Sequence, residues 1–320
     1  MYLLDHTIEC SSTNDRVEIF PFYDCHIGKR NCAEKAIKKQ VGEIIRRDAI
    51  KGRHARVLFG GDQLNAINKA DVRRFDFDEL ADWVVAPSDE ELKKGLTSGE
   101  IAELVRARLS NMVDQEINHA VGIFAPVKHL ILGAVTGNHE SMMRRKQSLN
   151  IHSAFCTRLG IQDLTDETLI RIHMVRRQKA GKISQVATIV IYLRHGYGGG
   201  RTAGAEPNKL DRMLAEWEAA DVCLTGHSHT FCILPPKPVA IVPSRGTLPK
   251  ELFYRYRFAA NPGCWLFSHK EGVGSYESMA CYPARPMMTL KIVIWPFWAV
   301  TKNCNRCSRP KIELRDYTIT

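Results

Sequence analysis

The sequence predicts an α/β fold whose first two strands run parallel. One observation is a strand, loop, helix and strand in succession near the amino terminus. A second is a series of short apolar runs of strand length further along the chain. A third is that five such runs each end directly in a cluster of polar residues. Ligand sites of open α/β sheets lie beyond the carboxyl ends of the strands, so these clusters are expected to meet at one edge.

The first unit covers roughly the first 60 residues. Residues 16–22 alternate apolar and polar side chains, which predicts a strand. Apolar residues from Ala33 to Ile45 recur at helical spacing and predict a helix. Residues 55–59 predict a second strand that ends at Gly60, Gly61 and Asp62. A strand, a crossover helix and a second strand form a βαβ unit with a parallel pair.

Later apolar runs predict further strands. Residues 129–135, 186–193 and 221–224 each end in a polar cluster, and residues 258–267 and 289–294 predict two more strands. Between Asp62 and Asn138 the pattern is helical instead. Thr97 and Glu100 have the spacing of a capping box, and an apolar stripe follows them. Residues 63–128 are therefore predicted to form a helical insertion or cap.

The composition is that of a folded globular chain. Of 320 residues, 44% are apolar and 25% are charged, which argues against a disordered chain, a collagen or a coiled coil. There are 45 Lys and Arg residues against 35 Asp and Glu, a net charge of +10. Such a balance suits an anionic partner such as a phosphodiester polymer, although a generally basic enzyme would show it as well.

The sequence gives no indication of membrane association. The longest apolar runs are shorter than the roughly 18–20 residues of a transmembrane helix, and the first residues lack the basic and apolar regions of a signal peptide. We therefore expect a cytoplasmic protein; the pattern indicates no oligomeric state. The ten cysteines lack a zinc-site spacing, so free thiols are expected, Cys304 and Cys307 included.

The polar clusters contain the residue types that bind metal ions. In chain order they are Asp24 with His26, Asp62, Asn138 with His139, His195, and His227 with His229. Carboxylates and imidazoles are metal ligands, and an amide can add a neutral oxygen. The two carboxylates cannot neutralise two divalent ions, so such a site would attract phosphate and acidify a bound water.

The order of these motifs resembles the calcineurin-like metallophosphoesterase superfamily over roughly residues 17–232. The shared motifs are Asp-x-His, Gly-Asp, Gly-Asn-His-Glu, His-Gly and Gly-His-x-His. The resemblance implies one domain over residues 1–320, a four-layer α/β fold with a central β-sandwich flanked by helices. Residues 235–320 would supply the strands that complete the sandwich.

The resemblance also implies roles for the motif residues. It implies seven metal ligands in two sets joined by one bridging carboxylate: Asp24, His26 and His229 for one ion, Asn138, His195 and His227 for the other, and Asp62 between them. His139 would stabilise or protonate the leaving oxygen, and Glu140 would orient His139. The two ions would be Mn, Fe, Zn, Co or Ni, with Mn favoured, whereas Mg fits the imidazole-rich set poorly.

The function implied is hydrolysis of a phosphodiester by a hydroxide that two metal ions activate, with a nucleic acid or a nucleotide as substrate. The segment from Gly60 to Asn65 lacks the Asp-Arg-Gly of the Ser/Thr protein phosphatase branch, which disfavours that branch. Two alternatives stay open: a phosphomonoesterase acting on a phosphoprotein or small metabolite, and a binding scaffold without catalysis. The scaffold predicts lost ligands, and all seven are present.

Overall fold

Two β-sheets pack face to face, and helices cover the outer face of each. The structure is a computed structural model that describes residues 1–67, 75–177, 181–198, 202, 204–241, 253–267, 287–301 and 304–318. The predicted α/β class, with a central sandwich flanked by helices, is confirmed.

In chain order the strands are β1 (Tyr2–Cys10), β2 (Arg16–Phe22), β3 (Arg53–Phe59), β4 (Ile131–Ala134), β5 (Glu167–Arg177), β6 (Ile183–Arg194), β7 (Val222–Leu224), β8 (Cys232–Ile233), β9 (Lys237–Ile241), β10 (Phe253–Asn261), β11 (Met288–Thr301) and β12 (Cys304–Thr318). The α-helices are α1 (Glu34–Asp48), α2 (Asp82–Val85), α3 (Asp89–Lys93), α4 (Ser98–Ser110), α5 (Met112–Phe124), α6 (Asn138–Gln147), α7 (Ile151–Leu159) and α8 (Ala205–Glu216), with 3-10 helices at Phe77–Glu79 and Ala125–Leu130.

The first sheet has the order β4, β3, β2, β11, β12, and the second has the order β1, β5, β6, β7, β10, β8. The pairs β2–β3, β3–β4 and β6–β7 are parallel. The predicted βαβ unit is therefore present, with α1 as its crossover. A single backbone pair between β12 and β6 joins the two sheets.

Alternation along the strands separates two cores. In β2, Val17 and Ile19 face the inter-sheet core, whereas Phe20 and Phe22 face the helices. Successive side chains of a strand point to opposite faces of the sheet, so β2 contributes apolar side chains to both cores. Helices α1, α5 and α7 cover the first sheet, and α8 covers the second. Burial of each large apolar side chain contributes about 1.5–3 kcal/mol, so both cores hold the strand ends in place.

The segment between β3 and β4 is helical where the structure describes it. The capping box of Thr97 and Glu100 is formed at the start of α4, as the sequence predicts. Helix α5 packs Ile117 and Phe124 into the core of the first sheet. Helices α2 and α4 and the start of α5 contribute to a smaller cluster that includes Leu80 and Val84.

Several elements differ from the sequence prediction. β4 is shorter than predicted, because the chain before Ile131 forms a 3-10 helix. The predicted strand at 258–267 ends at Asn261, where the chain turns at Gly263, whose φ is +80°. β1 and β5, which pair with each other, were not predicted. Few side chains of β1 are buried, so its pattern is weak, whereas every second side chain of β5 is buried over most of its length.

Among the described helices, none has the length and apolar character needed to cross a membrane. The thiols of Cys10, Cys25, Cys156 and Cys223 are free, as expected. The side chains of Cys304 and Cys307 lie outside the described residues.

Candidate metal centre

The five polar clusters meet where the carboxyl ends of β2, β3, β4, β6 and β7 lie together. Their ligand-type atoms form three overlapping groups, and within each group the atoms lie within 4.8 Å of one another. The groups are Asp24, His26 and His229; His26, Asp62 and His139; and Asp62, His195 and His227. The sequence separates these residues by up to about 200 positions, and parallel strand ends bring them together.

One set of side chains comes from the loops after β2 and β7. His26 Nε2 lies 3.2 Å from His229 Nε2 and 3.8 Å from Asp24 Oδ1. His229 Nε2 lies 3.5 Å from the same Asp24 oxygen. Donor atoms that share a cation at about 2.1 Å lie roughly 3 Å apart. This spacing therefore suits three ligands of one ion.

The second set comes from the start of α6 and the loops after β6 and β7. Asn138 Oδ1 lies 2.9 Å from His195 Nε2 and 2.7 Å from His227 Nδ1. The same atom of the Asn138 amide lies 2.8 Å from Asp62 Oδ2. With its oxygen toward these atoms Asn138 offers a neutral metal ligand, whereas with the amide turned its Nδ2 donates to Asp62 Oδ2 at 2.8 Å. Carboxylate, imidazole and amide oxygen are donors that divalent transition metals accept. The donor set therefore fits a divalent ion.

Asp62 lies between the two sets. Its Oδ2 is 3.2 Å from His195 Nε2 and 4.0 Å from His26 Nε2. Its Oδ1 accepts a hydrogen bond from the backbone N–H of His139 at 2.9 Å. The carboxylate is thus fixed by α6 while one oxygen faces both sets of ligands. This is the geometry that a bridging ligand needs.

Backbone carbonyls orient two of the imidazoles. His195 Nδ1 lies 3.0 Å from Gly60 O, and His139 Nδ1 lies 2.6 Å from Asn65 O. A carbonyl only accepts hydrogen bonds, so each Nδ1 carries the proton and donates it. The Nε2 lone pair of His195 then faces the centre, as for metal-binding histidines whose other nitrogen is bonded to the protein.

The backbone is strained at five of the predicted ligands. Asp24, His26, Asp62, His227 and His229 all have positive φ, between 47° and 73°. Residues other than glycine rarely adopt this conformation, and each instance costs about 1–3 kcal/mol. The surrounding fold imposes it here: His26 N–H donates to Asp62 O, and Asp24 N–H donates to Gly61 O.

Glycines next to the ligands allow close approach of the loops. A Cβ on Gly137 would lie 2.0 Å from Asp62 Oδ1, and one on Gly226 would lie 2.7 Å from Asp24 Oδ2. Any side chain at either position would displace a carboxylate of the centre. The glycine of each Gly-Asn-His-Glu and Gly-His-x-His motif is therefore required by packing.

Glu140 holds the loop after β3. Its Oε2 accepts hydrogen bonds from the backbone N–H of Asp62 and of Gly137, and its Oε1 accepts from those of Gln63 and Leu64. The family resemblance implies that Glu140 orients the ring of His139, but the Nδ1 of this ring donates to Asn65 O instead. We therefore interpret Glu140 as a backbone clamp that positions Asp62.

The electrostatic environment keeps most of the centre ready to bind cations. Burial lowers the pKa of His26 well below its ordinary value, so the ring is neutral. Burial raises the pKa of Asp62, but the histidines around it, His195 first, bring it well below the ordinary value. Burial also opposes protonation of His195, yet Asp62 and Asp24 raise its pKa to about 9. A cation would replace that proton.

Glu206, which is not among the predicted site residues, holds the loop of the Gly-His-x-His motif in place. Glu206 accepts a hydrogen bond from Ser228 Oγ at 2.7 Å and one from Asn261 Nδ2 at 2.8 Å. These contacts fix the loop that carries His227 and His229. Glu206 is nearly buried within the otherwise apolar face of α8. A carboxylate on such a face is the sequence signal that would have found it.

No family model matches the sequence, and no curated protein matches it. A solved structure of a conserved uncharacterized protein from Streptococcus pneumoniae TIGR4, described as a predicted phosphoesterase, is similar to this chain at 12% identity. The match covers 94% of this chain and 98% of that one, with a TM-score of 0.30. This likeness is too distant to carry a conclusion about this chain.

Proposed function

We propose that this chain is a metal-dependent phosphoesterase that uses two divalent cations to hydrolyse phosphodiesters. The observation that carries the proposal is the arrangement of two ligand sets around one buried carboxylate, Asp62. One set would be Asp24, His26 and His229, and the other Asn138, His195 and His227. Imidazole, amide and carboxylate donors suit Mn, Fe, Zn, Co or Ni, and we favour Mn.

Two cations in such a site would hold a phosphate and bring the pKa of water to near neutrality. The protein's own residues would place the reacting groups. His139 lies at the rim of the centre, with its Nε2 4.0 Å from Asp62 Oδ2. Its Nδ1–H is bonded to Asn65 O, so the protonated ring would donate from Nε2 to a leaving oxygen and stay anchored. Such proton transfer typically contributes about 10²–10⁴-fold.

We propose nucleic acids or nucleotides as the substrate class. The net charge of +10 favours association with polyanions. Tyr197, two residues after His195, is 71% exposed. Its ring lies 5.7 Å from the guanidinium carbon of Arg194, and this exposed aromatic surface, close in sequence to the ligand His195, is one on which a base could stack.

The test compares substrates after metal content has been measured. The purified protein is supplied with Mn²⁺, and in parallel samples with Fe, Zn, Co or Ni ions, and assayed with bis-p-nitrophenyl phosphate, p-nitrophenyl phosphate, and single- and double-stranded DNA. We expect turnover of the diester and of DNA. Hydrolysis of the monoester alone would overturn the phosphodiesterase assignment, and no turnover with any of the five metals would favour a binding scaffold.

Two variants serve as controls. Asp62→Asn should abolish turnover, because it removes the carboxylate shared by both ligand sets. His54→Asn alters a histidine that is bonded to Asp15 at 3.3 Å, at the start of β3 and so away from the carboxyl ends. This variant should keep full activity. Loss of activity in both variants would indicate a nonspecific effect on folding.

A further inference from the structure

We propose that Glu116 of helix α5 is a positioning residue that holds the loop at Asn65 and Ala66 and thereby orients His139. This inference rests on the proposed function, because it gives His139 a part in catalysis. Glu116 would thus link helix α5, which lies between β3 and β4 in the chain, to His139 at the rim of the metal centre.

The link consists of two hydrogen bonds through adjacent residues. Glu116 Oε2 accepts from the backbone N–H of Ala66 at 2.8 Å. The carbonyl of the preceding residue, Asn65, accepts from His139 Nδ1 at 2.6 Å. Both bonds are local and direct, so displacement of the loop by a fraction of an ångström would move the anchor of the imidazole.

The loop needs such support because its backbone is strained. Ala66 has φ of 54°, a conformation that costs a residue with a Cβ about 1 kcal/mol or more. Asn65 N–H donates to Ile27 O at 2.9 Å, which fixes one side of the turn. On the other side, Glu116 accepts from the N–H of the strained residue itself. Without this acceptor, the N–H of Ala66 would be buried and unsatisfied.

The side chain of Glu116 lies between two loops of the centre, one that carries Ala66 and one that carries Gly28. It has no exposed surface, and its Oε1 has no hydrogen-bond partner among the described residues. A Cβ on Gly28 would lie 2.3 Å from this oxygen, and Gly28 is two residues after the ligand His26. Burial of a carboxyl group with one oxygen unpartnered is unfavourable. The place of Glu116 between the two loops accounts for this burial, because the side chain fixes the distance between them.

Burial raises the pKa of Glu116 to about 8, although the Ala66 hydrogen bond opposes the shift. The group is then largely neutral at pH 7, so glutamine is a close mimic of it. Glu116→Gln keeps an acceptor for Ala66 N–H, whereas Glu116→Leu removes it at similar size. Ile117→Ala, on the same helix and in the same core, controls for loss of α5 packing.

The first experiment measures kcat and KM for a p-nitrophenyl and a phenyl phosphodiester, with metal content measured in each protein. Glu116→Leu should lower kcat by up to about 10², the loss that a misplacement of about 1 Å produces. KM and metal content should stay unchanged. The loss should be larger for the phenyl ester, whose poorer leaving group needs the proton of His139 more. Glu116→Gln and Ile117→Ala should stay close to wild type.

A double-mutant cycle tests the route. In a His139→Ala background, Glu116→Leu should cause no further loss of kcat, because the group it positions is gone. Additive losses, or a fully active Glu116→Leu protein, would overturn the inference. Absence of turnover in the wild type would overturn the proposed function instead.

A second measurement does not depend on turnover. In the metal-free protein, proton NMR should show a hydrogen-bonded Nδ1–H signal that disappears in His139→Ala and is thereby assigned. Glu116→Leu should shift or broaden this signal, whereas Ile117→Ala should leave it in place. An unchanged signal in Glu116→Leu would show that Asn65 holds the ring without Glu116.

Discussion

Replacement of Glu140 gives a direct test of how Asp62 is positioned. The carboxylate is 2% exposed and accepts four backbone hydrogen bonds. They come from Gly137 and Gln63 at 2.9 Å, from Asp62 at 3.1 Å and from Leu64 at 3.3 Å. Glu140→Ala would leave all four donors without this acceptor. Glu140→Gln would retain one oxygen and so satisfy about two of them.

The magnitude follows from the number of donors. A buried donor left unsatisfied costs about 1–3 kcal/mol. At the lower limit, Glu140→Ala should lower the free energy of unfolding by about 4 kcal/mol and Glu140→Gln by about 2 kcal/mol. Against a typical total of about 5–15 kcal/mol, both losses are large.

Denaturant unfolding of the metal-free protein, in chelator at pH 8, measures these losses. Burial and the nearby Asp62 raise the pKa of Glu140 to about 7, so the carboxylate is mostly ionised under these conditions. We expect the free energy of unfolding to decrease from wild type to Glu140→Gln and further to Glu140→Ala. A loss below about 1 kcal/mol in Glu140→Ala would show that the amides find other partners, and the backbone clamp would be refuted.

Four further predictions concern the centre and the ion pair of buried His152 with half-buried Asp163. Asp62→Asn should lower bound metal from two ions per chain, as measured by elemental analysis; retention of both would exclude a bridging role. His139→Ala should keep the metals and lower kcat by about 10²–10⁴-fold, and full activity would refute its role as proton donor. Mn²⁺ at about 100 times its dissociation constant should stabilise wild type by about 2.7 kcal/mol for each occupied site, and Asp62→Asn by much less. Burial opposes protonation of His152, yet Asp163 raises its pKa from 6.5 to about 10. This raised pKa stabilises the fold below about pH 6.5, and the contribution is lost as pH rises to 10. Asp163→Asn should thus cost about 1–3 kcal/mol at pH 6, and an equal cost at pH 10 in thermal unfolding would contradict this sign.

The strands and ligands that could be predicted from the sequence are those set by local pattern. Apolar side chains recur at every second position of β2 and β6, as at Val17 and Ile19 or Ile189 and Ile191, because these face the core between the sheets. The ligands follow such runs directly, so the direction of the strands was enough to expect their convergence. Asp62 and His195 illustrate this: 133 residues apart in the sequence, they lie 3.2 Å apart in space.

What could not be predicted depends on long-range partners. Glu140 lies beside His139 in the sequence, yet three of its four hydrogen bonds reach the backbone 76 to 78 residues earlier. Glu116 interrupts the apolar stripe of α5, which is a detectable signal, but the sequence does not name Ala66 as its partner. β1 pairs with β5 more than 160 residues away, and its exposed side chains leave little alternation to detect.

The cost of the candidate centre is itself an argument for its function. Asp24 and Asp62 are buried carboxylates, and the buried Oδ1 of Asp24 has no hydrogen-bond partner among the described residues. Five ligands have strained backbones. A chain that bound nothing here would gain stability by relaxing any of these features. Between the sheets the buried side chains form an ordinary apolar core. The unfavourable features are therefore concentrated where bound cations would offset them.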